Sequence, residues 1–133
     1  MDDTDLKELS YAVRGAAMEV YNYLGPGLLE SLYEKAMIYE LRIRGVHVES
    51  QVPIQVLYKG ITLSEDYKMD LLLDNAMIIE LKSVEKLLSI HYKQLRSYLK
   101  LSNKQMGWLI NFNESDFSHG MVKVINRYYI PWK

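Results

Sequence analysis

A chain of 133 residues, 49% hydrophobic and 25% charged, is long enough to bury one core and reads as a single domain over 1–133. It has no cysteine, which excludes disulfides and thiolate zinc sites and is compatible with a cytoplasmic protein. The acidic start Met1-Asp2-Asp3-Thr4-Asp5 lacks signal-peptide order, and no apolar run approaches the roughly 20 residues that span a bilayer, so a soluble protein with no membrane partner is expected.

Leu6, Leu9, Val13, Ala16, Ala17, Val20 and Leu24 recur at steps of three and four, which predicts an amphipathic helix from about Thr4 to Leu24. Gly25-Pro26-Gly27 breaks it. A second helix follows, with Leu29, Leu32, Tyr33, Ala36, Glu40 and Ile43 along one side and Gly45 as its C-terminal stop. The period then changes to two: Val46, Val48, Val52, Ile54, Val56 and Tyr58 alternate with polar residues, and Pro53 argues for an edge strand or a bulge. Lys59-Gly60 turns the chain, and residues 67–73 and 76–82 form two more strands joined at Asp74-Asn75. Helical spacing returns over 84–102 through Leu87, His91, Leu95, Tyr98 and Leu99. Met106–Phe112 and Val122–Tyr129 are the last strands, separated by a turn at Asp116–Gly120. The order ααβββαββ predicts an α/β (α+β) fold with one mixed sheet flanked by helices.

Charge is unevenly spread although the net value is only −1. Residues 1–40 carry eight acids against three bases, whereas 82–104 carry six bases against one acid. The basic segment, with Lys93, Arg96 and Lys100, is either a phosphate-facing surface or a solvated helix face.

Strand parity singles out a few residues for chemistry. Glu80 and Lys82 share one face of the third strand, and the hairpin at Asp74-Asn75 lets Asp70 share it. Ala76-Met77-Ile78-Ile79, ahead of Glu80, is apolar on both faces, so charges at its end are costly unless paired or metal-bound. Two carboxylates and a lysine suit phosphodiester cleavage with a hard cation such as Mg²⁺ or Mn²⁺. A cross-strand ion pair between Lys82 and Asp70 or Glu80 is the plainer alternative.

Asp70, then Glu80-Leu81-Lys82, on a hairpin between helices, resembles the PD-(D/E)XK nuclease superfamily. Gly27-Leu28-Leu29-Glu30-Ser31-Leu32-Tyr33 looks like the signature of its GxxExxY branch, and the likeness continues through Glu40-Leu41, Val52–Tyr58, Tyr67, His91–Leu101 and Asn111-Phe112-Asn113. The resemblance implies a restriction-endonuclease-like core. It also implies Asp70 and Glu80 as metal-binding acids, the main-chain carbonyl of Leu81 as a further ligand and Lys82 as the catalytic lysine. Glu30 matches a helix acid that reaches the metal through water, and Gln94 and Tyr98 match a Gln-x-x-x-Tyr pattern of some branches. Met69 departs from the family, standing where a proline commonly precedes the first acid.

Spacing places Glu30 with Tyr33, and His91 with Gln94 and Tyr98, on common helix faces. Tyr33 and Tyr98 are equally readable as core tyrosines and Gln94 as a surface residue, while His91 is better read as a polar contact than as a ligand or base. Met18, Met37 and Met69 fit core gap-filling; Trp108 belongs in the core and Trp132 near an interface. The function implied is hydrolysis of DNA, less readily RNA, by metal-bound water, with Lys93, Arg96 and Lys100 on the nucleic acid and a homodimer as a possible assembly. The alternative is a non-catalytic regulator that keeps the fold to bind nucleic acid or protein.

Overall fold

A computed structural model describes residues 1–133. The acidic start becomes the cap of α1 (Asp3–Leu24): Asp2 accepts from the Asp5 amide and Asp5 accepts in return from the Asp2 amide. Gly25 and Gly27, both at positive φ, end α1 and lead into α2 (Glu30–Ile43).

The buried stripe of α2 differs from the expected one. Tyr33, Met37 and Leu41 are inside, while Leu29, Leu32 and Ile43 are exposed. These buried residues are four apart, so a single row of i, i+4 positions meets the sheet and apolar residues off that row stay outside. Met18 is likewise exposed rather than core, on the outer side of α1.

The alternating segment folds as β1 (Val48–Tyr58), β2 (Ile61–Leu73) and β3 (Met77–Lys82), an antiparallel meander. Lys59-Gly60 and Asp74-Asn75 occupy positive φ at both turns, the first a two-residue hairpin between Tyr58 and Ile61 and the second a three-residue one, completed by Ala76, between Leu73 and Met77. The third helix, α3, covers only Ser89–Ser102; residues 84–88 are not helical, contrary to the periodicity. β4 (Met106–Asn111) runs parallel to β3. After a short 3₁₀ turn (Phe117–His119), β5 (Met121–Ile125) pairs antiparallel with β4. β5 stops four residues before the alternation does, because Asn126 leaves the ladder to bond the α3–β4 connection. Strand order is β1-β2-β3-β4-β5, so Pro53 does lie on an edge strand.

Two cores sandwich the sheet. α1 and α2 cover Val48, Leu71, Leu73, Met77, Ile79, Leu81 and Trp108 on one face. α3 covers Ile54, Met69, Leu72, Ile78, Leu109 and Val124 on the other. Gly107 keeps this close: a β-carbon there would stand 2.6 Å from the Ile78 carbonyl oxygen. No helix is long and apolar enough to cross a membrane.

Candidate functional site

Simple alternation along β2 fails at one point, and that point is the site. Leu71 and Leu73 face α1 and α2, yet Met69 packs on the α3 side, where Tyr67 meets Tyr98 edge-on at 6.1 Å. β1 changes face at the same level, since Val48 and Val52 share parity but pack on opposite sides. The pairing register does not slip across the change (Ser50 with Leu71, Val52 with Met69), so both strands turn together about Gln51 and Asp70. Gln51 sits at φ 52°, a left-handed conformation unusual for a non-glycine residue inside a strand.

β2 and β3 part company here as well. Their ladder ends at Leu71–Ile79, and carboxylates carry on where backbone pairing stops. The Asp70 amide donates to Glu80 Oε1 at 3.1 Å, and the Leu81 amide donates to Asp70 Oδ2 at 2.8 Å. Each acid is thus held by the neighbouring strand's main chain, with Asp70 Oδ1 and Glu80 Oε2 left for other partners.

Glu80 is only 5% exposed. Burial, and then the Asp70 charge, push its carboxyl up to about 9, against the opposing pull of the Asp70 amide and Lys82. Lys82 forms no ion pair within 4 Å, which disposes of the cross-strand salt bridge that spacing allowed. The segment after Lys82 is pinned from two sides. Buried Asn111 accepts from the Val84 amide and donates to the Val84 carbonyl, and the Ser83 hydroxyl donates to the Leu28 carbonyl ahead of α2.

That last bond brings the start of α2 to the end of β3. Glu30 lies within the fields of Lys82, Asp70 and Glu34, and partial desolvation followed by the two acids raises its carboxyl against the pull of Lys82. Glu34 and Gln51 were not anticipated. Gln51 Nε2 donates to Glu34 Oε1 at 2.7 Å and to Asp70 Oδ1 at 3.4 Å, bridging α2 to β2. Glu34 is raised by desolvation, opposed by that amide. Its spacing of four from Glu30 was the available signal; nothing local marks Gln51.

From the other side α3 presents Gln94 and Tyr98, joined by an amide-to-hydroxyl bond of 3.0 Å. Tyr98 is buried, and desolvation and then the Glu80 charge raise its phenol. His91 is a polar contact: its Nδ1 accepts from the Leu88 amide at the start of α3, and desolvation and Lys82 lower it. Tyr33 does not join the acids. It is fully buried against Phe112 (4.5 Å), and its hydroxyl donates to the Gly25 carbonyl and accepts from the Leu28 amide. Lys93, Arg96 and Lys100 lie on a different flank of α3, along a groove with β5.

No three acidic or imidazole side chains close on one point. The donor chemistry nonetheless fits a hard divalent cation: an almost fully buried carboxylate beside a second, neither of them in an ion pair, is an arrangement a bound cation relieves.

The family model described as the PD-(D/E)XK nuclease superfamily matches residues 7–124. Neither the curated proteins nor the solved structures include a significant match.

Proposed function

This chain belongs to the PD-(D/E)XK nuclease superfamily, and from that premise we propose that it is a Mg²⁺- or Mn²⁺-dependent phosphodiesterase of the GxxExxY branch, acting on DNA in preference to RNA. Nuclease domains of this superfamily are generally dependent on divalent metal. The observation that carries the reading is the reciprocal bridge at the parting of β2 and β3, where Asp70 and Glu80 are held side by side beside an ammonium that neutralises neither.

In this reading Asp70, Glu80 and the Leu81 carbonyl hold the cation, with Glu30 approaching from α2. The cation supplies Lewis acidity toward a phosphoryl oxygen and toward the attacking water. Lys82, free of an ion pair, orients that water or balances the charge that develops on the phosphate. The Gln94–Tyr98 pair stands on the α3 side of the cleft, where the Glu80 charge is felt at the Tyr98 phenol. The Gln51 amide, between Glu34 and Asp70, keeps two like charges apart.

The test incubates purified protein with single-stranded, double-stranded and branched DNA and with RNA, in Mg²⁺ or Mn²⁺. Asp70→Asn should lose cleavage and calorimetric Mn²⁺ binding together, whereas Lys82→Ala should keep Mn²⁺ binding and lose cleavage. Cleavage undiminished in Asp70→Asn overturns the assignment. The non-catalytic reading has one observation in its favour, the failure of three acids to converge; it predicts no cleavage and no Mn²⁺ binding by the unaltered protein.

A further inference from the structure

A second charged feature lies away from the acids. α3 and β5 enclose a groove of about 840 Å³ whose lining includes five cations, Lys93, Arg96, Lys100, Lys123 and Arg127, and no acid. In a chain of net charge −1, with 16 bases and 17 acids, that concentration is a local field and not a property of the whole surface. None of the five takes part in an ion pair within 4 Å. Lys123, paired with Trp108 and alternating with Val122 and Val124, points to the other sheet face, so Arg127 is the cation that meets the α3 row across the groove. On α3 the cations recur at steps of three and four, spreading over roughly 10 Å of helix axis, and Lys123 and Arg127 stand along the β5 side.

Two tyrosines share the groove. Tyr92 is partly buried beside the α3 core and Tyr128 is 68% exposed at the opposite wall. The Lys100 ammonium lies 4.7 Å from the centre of the Tyr128 ring, so charge and aromatic face are already presented together. Val122 and Val124 supply an apolar floor.

We propose that the α3–β5 groove is a binding track for single-stranded nucleic acid, separate from the cleft at Asp70 and Glu80. The α3 row of cations, with Arg127 across from it, follows a phosphodiester backbone, and aromatic faces stack on bases that only an unpaired strand exposes. A groove of this volume takes a few nucleotides of one strand; a duplex, whose major groove alone is about 12 Å wide, does not enter it. At 100° per residue, Lys93, Arg96 and Lys100 lie roughly on the opposite side of α3 from His91, Gln94 and Tyr98. A strand seated here is therefore held beside the cleft without occupying it. The choice of polyanion rests on the nuclease reading, but the experiment below measures binding without cleavage, so the two fail separately.

The experiment titrates the whole protein into a fluorescein-labelled 20-mer of thymidylate in EDTA, across 50–200 mM salt, with a 20-bp duplex as competitor. The single strand should bind more tightly than the duplex. Lys93→Gln with Arg96→Gln should weaken binding and lower the salt slope by about 1.4, and separately Arg127→Gln should lower it by about 0.7, at 0.7 per lost phosphate contact. Tyr128→Ala should weaken binding about tenfold with the slope unchanged, the signature of lost stacking. Circular dichroism confirms that each variant is folded. Equal affinity for strand and duplex, or Tyr128→Ala without effect, overturns the single-strand assignment. Absence of binding at 50 mM salt overturns the track altogether. Self-association abolished by the same glutamine variants, without oligonucleotide binding, would give the groove to the acidic α1 of a second copy. Binding as expected, with no cleavage under any metal, leaves the track standing and removes the nuclease reading.

Discussion

Glu80→Gln turns the buried acid into a direct measurement. The substitution keeps the shape, lets the amide oxygen accept from Asp70 N–H as Glu80 Oε1 does, and offers an N–H toward the Asp70 carboxylate. It therefore mimics the protonated acid at every pH. In the metal-free protein the folded Glu80 titrates near 9 against an ordinary value of 4.5, so between those values the folded state binds more protons than the unfolded one. The stability this gives is fully present below about pH 4.5 and is lost as pH rises toward 9. From 4.5 to pH 7 the loss, at about 1.4 kcal/mol per pH unit, comes to roughly 3 kcal/mol. For a chain of this length that is a melting shift on the order of 10 °C. The assay is thermal or urea unfolding in EDTA from pH 4.5 to 8.5, wild type beside Glu80→Gln. Glu30 and Glu34 titrate in both proteins and cancel in the difference. The two curves should meet near pH 4.5 and diverge steadily, with the variant the more stable. Saturating Mn²⁺ should then reverse the order at pH 7.5, because only the wild type gains from binding the ion. Curves that run parallel from pH 4.5 to 8.5 would refute the reasoning, as would Mn²⁺ raising the variant as much as the wild type.

Gln51→Gly should relax the left-handed backbone while deleting the bridge to Glu34 and Asp70, so unfolding stability should hold or rise by about 1 kcal/mol as cleavage and Mn²⁺ affinity fall. Gln51→Ala should lose as much activity and be the less stable of the two, which urea titration checks. Asn111→Ala should cost roughly 2 kcal/mol by chemical denaturation, since it removes the bonds that a buried amide makes to the half-buried Val84 amide and carbonyl. The same variant should weaken cleavage by loosening the segment that follows Lys82, whereas a purely stabilising role leaves cleavage per folded molecule unchanged.

What could be read along the chain was whatever one element settles with its own neighbours. The Leu6-to-Val20 stripe, the turn chemistry of Lys59-Gly60 and Asp74-Asn75, and the edge position of Pro53 all follow from local backbone preference and apolar period. Parity and a tight hairpin were enough to bring Asp70 beside Glu80, because antiparallel pairing through Asp74-Asn75 sets 70 opposite 80. The folded chain decided what depends on how elements meet. Strict alternation would put Tyr67, Met69, Leu71 and Leu73 on one face, but the twist centred on Gln51 and Asp70 divides them, and no local pattern announces a left-handed glutamine. The row of α2 that turns inward, Tyr33, Met37 and Leu41, was chosen by the sheet it packs on. Glu34 entered the site, and Tyr33 left it, through that same docking. The cationic groove joins residues 93–100 to 122–128, two segments amphipathic on their own terms whose facing sides are set by the parallel crossover from β3 through α3 to β4 and the return along β5. Period and turn chemistry are properties of a few consecutive residues, whereas which flank of one element faces which flank of another is fixed only when register, twist and crossover close the core together.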